Sequence, residues 1–426
     1  MSRVDFVQEL YDWLPALFAP AAKQPAIGLA VSGGADSLAL MLLARRWADA
    51  LPEAPRIIVY SVDHALRPEA GAEVAFVLAE AARLGFAARG LRWDRTPSTP
   101  RTQAAAREAR YRLLRDAMQA DGVTLLLTAH HAADQAETVL MRLSHLSGLD
   151  GLRGMRAVSE VDGVTIFRPL LELEPAHLRM VVEAAGLVPV EDPSNSDPHY
   201  ERVRWRKAMP LLRTLGLDDD AFTTLARRAG EADDAVSLWA DGVFAEQTVV
   251  DGFGALSIPV DTVTGLPAAV AIKLLMQLIT HAGAKRSGGV LGSVEDLYDQ
   301  LMATEAPFAR TLAGAAMRRR SDSLWFTREV GRKPLEPVEI GAGETYVWDG
   351  RFAIANYASA PVSVAMAGDL SRRAAEEMVR EKTIDSPASA IRSAPLVHSA
   401  EGAALALGGY CFSPLIAVNF VVSRSS

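Results

Sequence analysis

Apolar and polar positions alternate in blocks along the first 190 residues. AIGLAVS (26–32) is a short apolar run that ends in two glycines, and SLALMLLARRWADAL follows with helical spacing. The pairing recurs with RIIVYSVD (56–63) before AGAEVAFVLAEAARLG (70–85). AARGLRW (87–93) is a weaker strand before RTQAAAREARYRLLRDAMQADG, a long helix ending at Gly122. VTLLLTAHH (123–131) precedes AADQAETVLMRLSHL, and VTIFRPLL precedes PAHLRMVVEAAG. Repeated strand–helix units predict an α/β fold with a doubly wound, mostly parallel sheet. In such sheets ligands bind beyond the carboxyl ends of the strands, and Ser32, Asp63 and His130 fall at those ends.

The texture changes near residue 217. LDDDAFTTLARRAGEADDAVSLWADGVFAEQ reads as one long helix with an acidic start, and helical and turn segments continue to about 330. GRKPLEPVEIGAGE reads as a linker, and TYVWDGRFAIANY as a hairpin around Asp349-Gly350. A helix near 370–382 and short strands complete the chain. The expected domains are 1–215, α/β; 216–334, mostly helical; and 335–426, small and α+β.

Composition narrows the classes. Half of the 426 residues are apolar, enough for full cores, and a single cysteine, Cys411, excludes a disulfide scaffold and Cys-rich metal sites. MSRVDFVQELYDWLPALFAP mixes acids into its apolar residues, which marks an amphipathic helix and not a signal peptide. No uninterrupted apolar run of about 20 residues occurs, so no membrane span is expected, and a reducing cytoplasm is the expected compartment. The net charge of −8 argues mildly against nucleic acid, but phosphate binding depends on local patches. REARYRLLR (107–115) and ERVRWRK (201–207) are such patches.

The candidate chemistry starts at SGGADS (32–37). Gly33 and Gly34 allow a tight turn, and the helix starting near Ala35 aims free N–H groups at the same spot. Ser32 and Ser37 add hydroxyls. Asp36 would repel phosphate on its own and makes sense as a holder of Mg²⁺. A Walker A loop would carry lysine where Asp36 stands.

The loop resembles that of the PP-loop, or N-type ATP pyrophosphatase, superfamily, with its Rossmann-like sheet. VDHALRPEA, QAAAREARYRLL, TAHHAADQAETVLMRLSHLSGLDGLRGM, FRPLLEL and EDPSNSDPHYERVRWR follow in order, and the set resembles the tRNA(Ile)-lysidine synthetase family. The likeness is dense from residue 26 to about 206, looser through TLAGAAMRRRSDSLWFTRE, and weak in the last 90 residues. It implies that ATP adenylates the C2 oxygen of the wobble cytidine in a CAU-anticodon isoleucine tRNA, releasing pyrophosphate. The ε-amine of free L-lysine then displaces AMP, giving lysidine and changing the tRNA's identity from methionine to isoleucine.

The resemblance assigns residues as follows. Ser32, Gly33, Gly34, Ala35, Asp36 and Ser37 hold ATP phosphates, and Asp63 and His64 border adenine and ribose. Arg110 steadies the α-phosphate, against the alternative of a salt bridge within its helix. Asp134 and Glu137, three apart on one helix face, hold the lysine cation, and either one can serve as its base. His130 is a candidate for contact with phosphate or adenylated base; His131 reads as filler. Arg202, Arg204, Arg206 and Lys207 are the expected tRNA contacts, with Trp205 as a stacking surface. Val203 stands where the family usually has asparagine, and SHLSGLDGL keeps only part of a basic, Gly-Thr-Gly stretch. A tRNA thiolase of the same superfamily would need more cysteines than Cys411. A non-catalytic nucleotide sensor would have lost Asp36 or the Asp134/Glu137 pair. Monomer and homodimer both remain open.

Overall fold

The computed structural model describes residues 3–63, 70–94, 103–190, 199–284, 290–331, 335–380 and 383–421. The chain divides into two compact units, residues 1–232 and 233–426. The sequence boundary expected near 335 falls inside the second unit.

In the first unit the strands are β1 (Ala26–Ala30), β2 (Arg56–Asp63), β3 (Ala87–Arg92), β4 (Leu125–Leu127), β5 (Val158–Val161) and β6 (Val164–Phe167). They form one sheet in the order β3-β2-β1-β4-β6-β5. Every pairing is parallel except β5 on β6, a hairpin turned by Asp162 and Gly163 with φ of 51° and 78°. The chain runs outward from β1 through β2 to β3, then returns to lay β4 on the other side of β1. The crevice above β1 and β4 is therefore the switch point where such sheets bind ligands.

The helices are α1 (Arg3–Leu17), α2 (Ala35–Asp49), α3 (Ala70–Arg83), α4 (Gln103–Asp121), α5 (Ala132–Ser144), α6 (Leu149–Leu152), α7 (Pro175–Ala184), α8 (Glu201–Thr214) and α9 (Asp219–Gln247). Alternate strand residues divide the core. Ile27, Leu29, Ile57, Val59, Leu125 and Leu127 pack with Leu38 and Leu43 of α2, Val77 of α3 and Val181 of α7. Ile58, Tyr60, Leu126 and Ile166 pack with Tyr111, Leu114 and Met118 of α4. Parallel strands covered on both faces must be apolar throughout, which is why these segments read as continuous apolar runs. Helix α5 lies against α8 and α9 through Ala136, Val139, Leu140, Met209, Phe222 and Ala226.

The second unit departs from the helical texture expected up to residue 330. Helix α11 (Ala268–Gly283), with α10 (Val260–Thr264) and α12 (Leu291–Ala303), packs on an antiparallel sheet. Its strands are β7 (Val249–Val250), β8 (Leu256–Pro259), β9 (Ala309–Leu312), β10 (Ala315–Arg320) and β11 (Ser323–Arg328), in the order β7-β8-β11-β10-β9. These strands are short, and β10 carries three successive arginines that hide its alternation. Two further small sheets fill the C-terminal part. The expected Asp349-Gly350 hairpin is present, with Thr345–Trp348 paired to Phe352–Asn356 and both turn residues at positive φ. No helix among the described residues is long and apolar enough to cross a membrane.

Trp47 anchors the α2 side of the first core. It is 1% exposed and stacks on Phe18 with ring centroids 5.0 Å apart. Trp47→Ala is expected to cost about 3–5 kcal/mol, and Trp47→Phe, which keeps the ring stack, far less. Chemical denaturation of the full chain measures both, and equal losses would mean that the stack contributes nothing.

Candidate active site

The loop between β1 and α2 is built for close approach. Gly33 has φ of +90°, and a β-carbon there would lie 3.3 Å from Val190 Cγ2, so a side chain would meet both backbone strain and crowding. The Gly33 carbonyl accepts from Val190 N at 2.9 Å, which ties the loop to the segment after α7. Gly34 is the N-cap of α2 and supplies no side-chain cap, so the first N–H groups of the helix stay free for an anion. Ser37 is buried and braces the loop. Its Oγ donates to the Gly34 carbonyl at 2.9 Å and accepts from Ser32 N at 3.2 Å. Ser32 is exposed, and its hydroxyl shares a 3.3 Å hydrogen bond with Ser37 Oγ. Ala35 and Asp36 sit half-buried in the first turn of α2.

The second wall is the turn from β4 into α5. His131 is the N-cap of α5 and forms a capping box with Asp134. Its Nδ1 accepts from Asp134 N at 3.4 Å, and Asp134 Oδ2 accepts from His131 N at 3.2 Å. His131 Nε2 lies 3.5 Å from Asp36 Oδ2 and 3.5 Å from Asp134 Oδ2. The residue read as filler thus joins the two loops. Burial depresses its basicity, but Asp36, Asp134 and Glu137 outweigh burial and raise its pKa above the ordinary histidine value.

Glu137, one turn into α5, is 2% exposed. Arg206 of α8 binds it with two hydrogen bonds, Nε to Oε1 at 2.7 Å and Nη2 to Oε2 at 3.1 Å. Arg202 Nε lies 3.3 Å from Oε2. Burial pushes the Glu137 carboxyl up, and the two arginines only partly offset it. The basic stretch is therefore split by helical spacing. Arg202 and Arg206, four apart, turn inward to Glu137, while Arg204 donates to the His199 carbonyl and Lys207 is exposed. Trp205 is half-buried against the α5–α8–α9 contact, where its Nε1 donates to Glu201, so it is not an open stacking face. Val203 is buried.

The third wall is basic. Arg110 is half-buried on α4, and burial holds its pKa below the usual guanidinium value. Arg168, just beyond β6, is buried and shifted in the same direction for the same reason. His130 shares a 2.9 Å hydrogen bond with Thr128 through Nδ1. Burial drives its pKa down to about 4; Asp134 opposes this, and Arg168, Arg202 and Arg110 add to it. It is a neutral imidazole at pH 7.

Asp63 ends β2 half-buried, and its carbonyl accepts from Trp93 N at 2.9 Å. His64 lies outside the described residues. The structure therefore brings Ser32–Ser37, His130, Asp134 and Glu137 to one crevice, with Arg202 and Arg206 turned into it. Sequence reading missed His131, Arg168 and Gln135. Gln135 holds the loop after α6, with Nε2 donating to the Arg153 and Met155 carbonyls and Oε1 accepting from Met155 N at 2.7 Å. For His131 the available signal was its place three residues before Asp134, the spacing of a capping box.

Comparison with known proteins gives one consistent result. The PP-loop domain family matches residues 7–212. A tRNA(Ile)-lysidine synthase of Rhodopseudomonas palustris is 42% identical over 320 residues, 72% of this chain and 92% of that one. One from Novosphingobium aromaticivorans is 42% identical over 310 residues, 70% and 88% of the two chains. One from Bradyrhizobium is 40% identical over 329 residues, 72% and 91%.

The depressed basicity of His130 has a stability consequence. Its folded pKa lies below that of the unfolded chain, so the folded state binds the proton less well. Stability from this group is complete above about 6.5 and is lost as the pH falls toward about 4. His130→Gln is expected to lose less stability than the wild type across that window, by up to roughly 3 kcal/mol. Denaturant titrations at several pH values check this. Parallel curves for the two proteins would contradict it.

Proposed function

The chain belongs to the tRNA(Ile)-lysidine synthase family of ATP-using PP-loop enzymes, and we propose that it joins L-lysine to C2 of the wobble cytidine in a CAU-anticodon isoleucine tRNA. The observation that carries the reading is the contact of Asp36 with Asp134 through His131, 3.5 Å on each side. It brings a phosphate loop and an amine-binding carboxylate into one crevice, as a reaction between a nucleotide and an amine requires.

In this reading the loop from Ser32 to Ser37 grips the two outer phosphates of ATP, which leaves the α-phosphate open to the cytidine C2 oxygen. That oxygen bonds to phosphorus, and the bond to the pyrophosphate oxygen breaks. The lysine ε-amine then bonds to C2, and AMP departs with the oxygen. Arg110 supplies positive charge to the α-phosphate, where it is most effective if its own surroundings are dry. Neutral His130 is able to accept or donate a single hydrogen bond at the same place.

Lysine enters as an ammonium ion. Releasing its proton at pH 7 costs about 4.6 kcal/mol from a pKa near ~10.4. Asp134 and Glu137 offset part of this by binding the cation first and accepting the proton afterwards. Burial raises the proton affinity of Glu137, which suits a base. Glu137 becomes available only when Arg206 releases it.

Among the described residues no cluster of three side chains is able to cage a metal ion. The single carboxylate of Asp36 fits Mg²⁺ carried on the phosphates, since this ion keeps much of its shell as water and phosphate oxygen. When bound, Mg²⁺ would neutralise triphosphate charge there. Arg204 and Lys207 remain the tRNA contacts that face outward, with further tRNA binding by the helices and antiparallel sheet of 216–334 and acceptor-side recognition at 335–426. Cytoplasm is the proposed site of action.

Mass spectrometry of nucleosides from the isoleucine tRNA, after incubation with ATP and lysine, is expected to reveal lysidine. ADP with a phosphorylated acceptor would overturn the reading. Glu137→Gln is expected to raise KM for lysine about tenfold or more, on the scale of a lost charge-assisted hydrogen bond, while ATP consumption partly persists. An unchanged KM for lysine would remove Glu137 from the lysine site.

A further inference from the structure

We propose that Arg168 binds the nucleotide's α-phosphate beside Arg110, the anion serving as counter-ion to a guanidinium that the fold encloses with no carboxylate of its own. The assignment rests on the adenylyl-transfer reading above. Arg168 is 7% exposed. Its Nη1 donates to the Arg156 carbonyl and to Ser159 Oγ, both at 2.8 Å and both neutral acceptors. Its Nε is enclosed with no acceptor among the described residues. Among the described residues no carboxylate forms an ion pair with it, and the titratable groups whose charges bear on it are Tyr111, Arg107 and His130. A buried cation is costly unless an anion meets it, so a bare one signals that the anion arrives from outside.

Strand parity and order say where that anion sits. Val164 and Ile166 belong to the core on the α4 side of the sheet. Arg168, two residues further, continues the same side, toward Tyr111 and the helix that carries Arg110. Strand β6 is separated from β1 by β4 alone, which is a displacement of about 10 Å from the phosphate loop. A nucleotide whose outer phosphates lie over Ser32–Ser37 reaches that side with its inner phosphate. His130, at the exit of β4 between the two, feels Arg168, Arg202 and Arg110 together. Bracing the β5–β6 hairpin uses Nη1 alone and leaves the missing carboxylate unexplained; a phosphate partner accounts for both.

Equilibrium dialysis of the full chain with ATP, AMP and adenosine separates the possibilities. Arg168→Met is expected to bind ATP and AMP about 10- to 100-fold more weakly, as for loss of a charge-assisted contact, and adenosine equally well. Arg168→Lys is expected to recover part of the loss. Ser159→Ala, which removes one neutral acceptor of Nη1, is expected to keep all three affinities, and it carries the structural control if the Met variant does not fold. ATP and AMP affinities that stay unchanged in the Met or Lys variants overturn the proposal. So does a parallel loss for adenosine, which would make Arg168 a brace of the whole site. A loss confined to ATP also overturns it, because the contact would then be to the outer phosphates. Failure of the adenylyl-transfer reading is distinct. It would show as wild-type protein that binds these nucleotides yet releases no tRNA-dependent pyrophosphate.

Discussion

A carboxylate buried between two helices stays charged only if cations reach it there, and this constraint organises the face of the molecule that α5 and α8 form. Glu137 sits on α5 at the edge of an apolar helix contact, and Arg206 and Arg202 reach it from α8. Removing the arginines would strand a buried carboxylate, so α8 is tied to α5 by more than their apolar contact. The coupling has a functional price. Two of the four basic residues in ERVRWRK are turned inward, and the acid assigned to lysine is already occupied. In the proposed reaction a lysine ammonium replaces a guanidinium on the same carboxylate. The exchange conserves charge and needs only that α8 side chains swing outward, which their partial exposure allows.

The charges around the crevice fall into two groups, with Arg202 and Arg206 bound to the acidic one. Asp36, Asp134 and Glu137 gather on α2 and α5; Arg110 and Arg168 gather on α4 and at the end of β6. His130 lies where the two groups meet, and burial keeps it uncharged. A protonated imidazole there would repel an incoming amine and add to an arginine group that already lacks anions. In the proposed reaction a neutral one leaves the acidic side to the amine and the basic side to the phosphate. Such an arrangement suits a reaction in which an anion and a cation must stand side by side without pairing directly.

Much of this was legible in the chain. Parallel strands covered on both faces leave continuous apolar runs, and glycine turns mark their exits, so the first sheet and its phosphate loop follow from patterning. The Asp349-Gly350 hairpin was legible because only a few residues tolerate two consecutive positive φ values. Edge strands were harder. Val158–Val161 alternates weakly and carries Glu160, and the strands of the middle sheet are short and arginine-rich. In the site, residue types were readable but their partners were not. ERVRWRK announces a basic surface, yet the i, i+4 spacing of Arg202 and Arg206 commits them to a carboxylate 69 residues away from Arg206 in sequence. Arg168 stands within FRPLLEL with no signal of its own, because burial without a counter-ion is a property of the fold and not of the residue.

His131 illustrates why an unusual local choice is informative. Serine, threonine, aspartate or asparagine would cap α5 more conventionally. Each of these would accept the Asp134 N–H, but none carries a second nitrogen able to reach across the crevice. Because Nδ1 accepts in the cap, a neutral ring must place its proton on Nε2, facing Asp36 and Asp134. The helix cap thereby orients the ring, and the ring holds two carboxylates from separate loops at a fixed spacing. The carboxylates raise the ring's basicity in return, and its Nε2 proton relieves their mutual repulsion. A helix terminus, which any fold needs to close, is here the part that joins the loop after β1 to the carboxylates proposed to bind the amine.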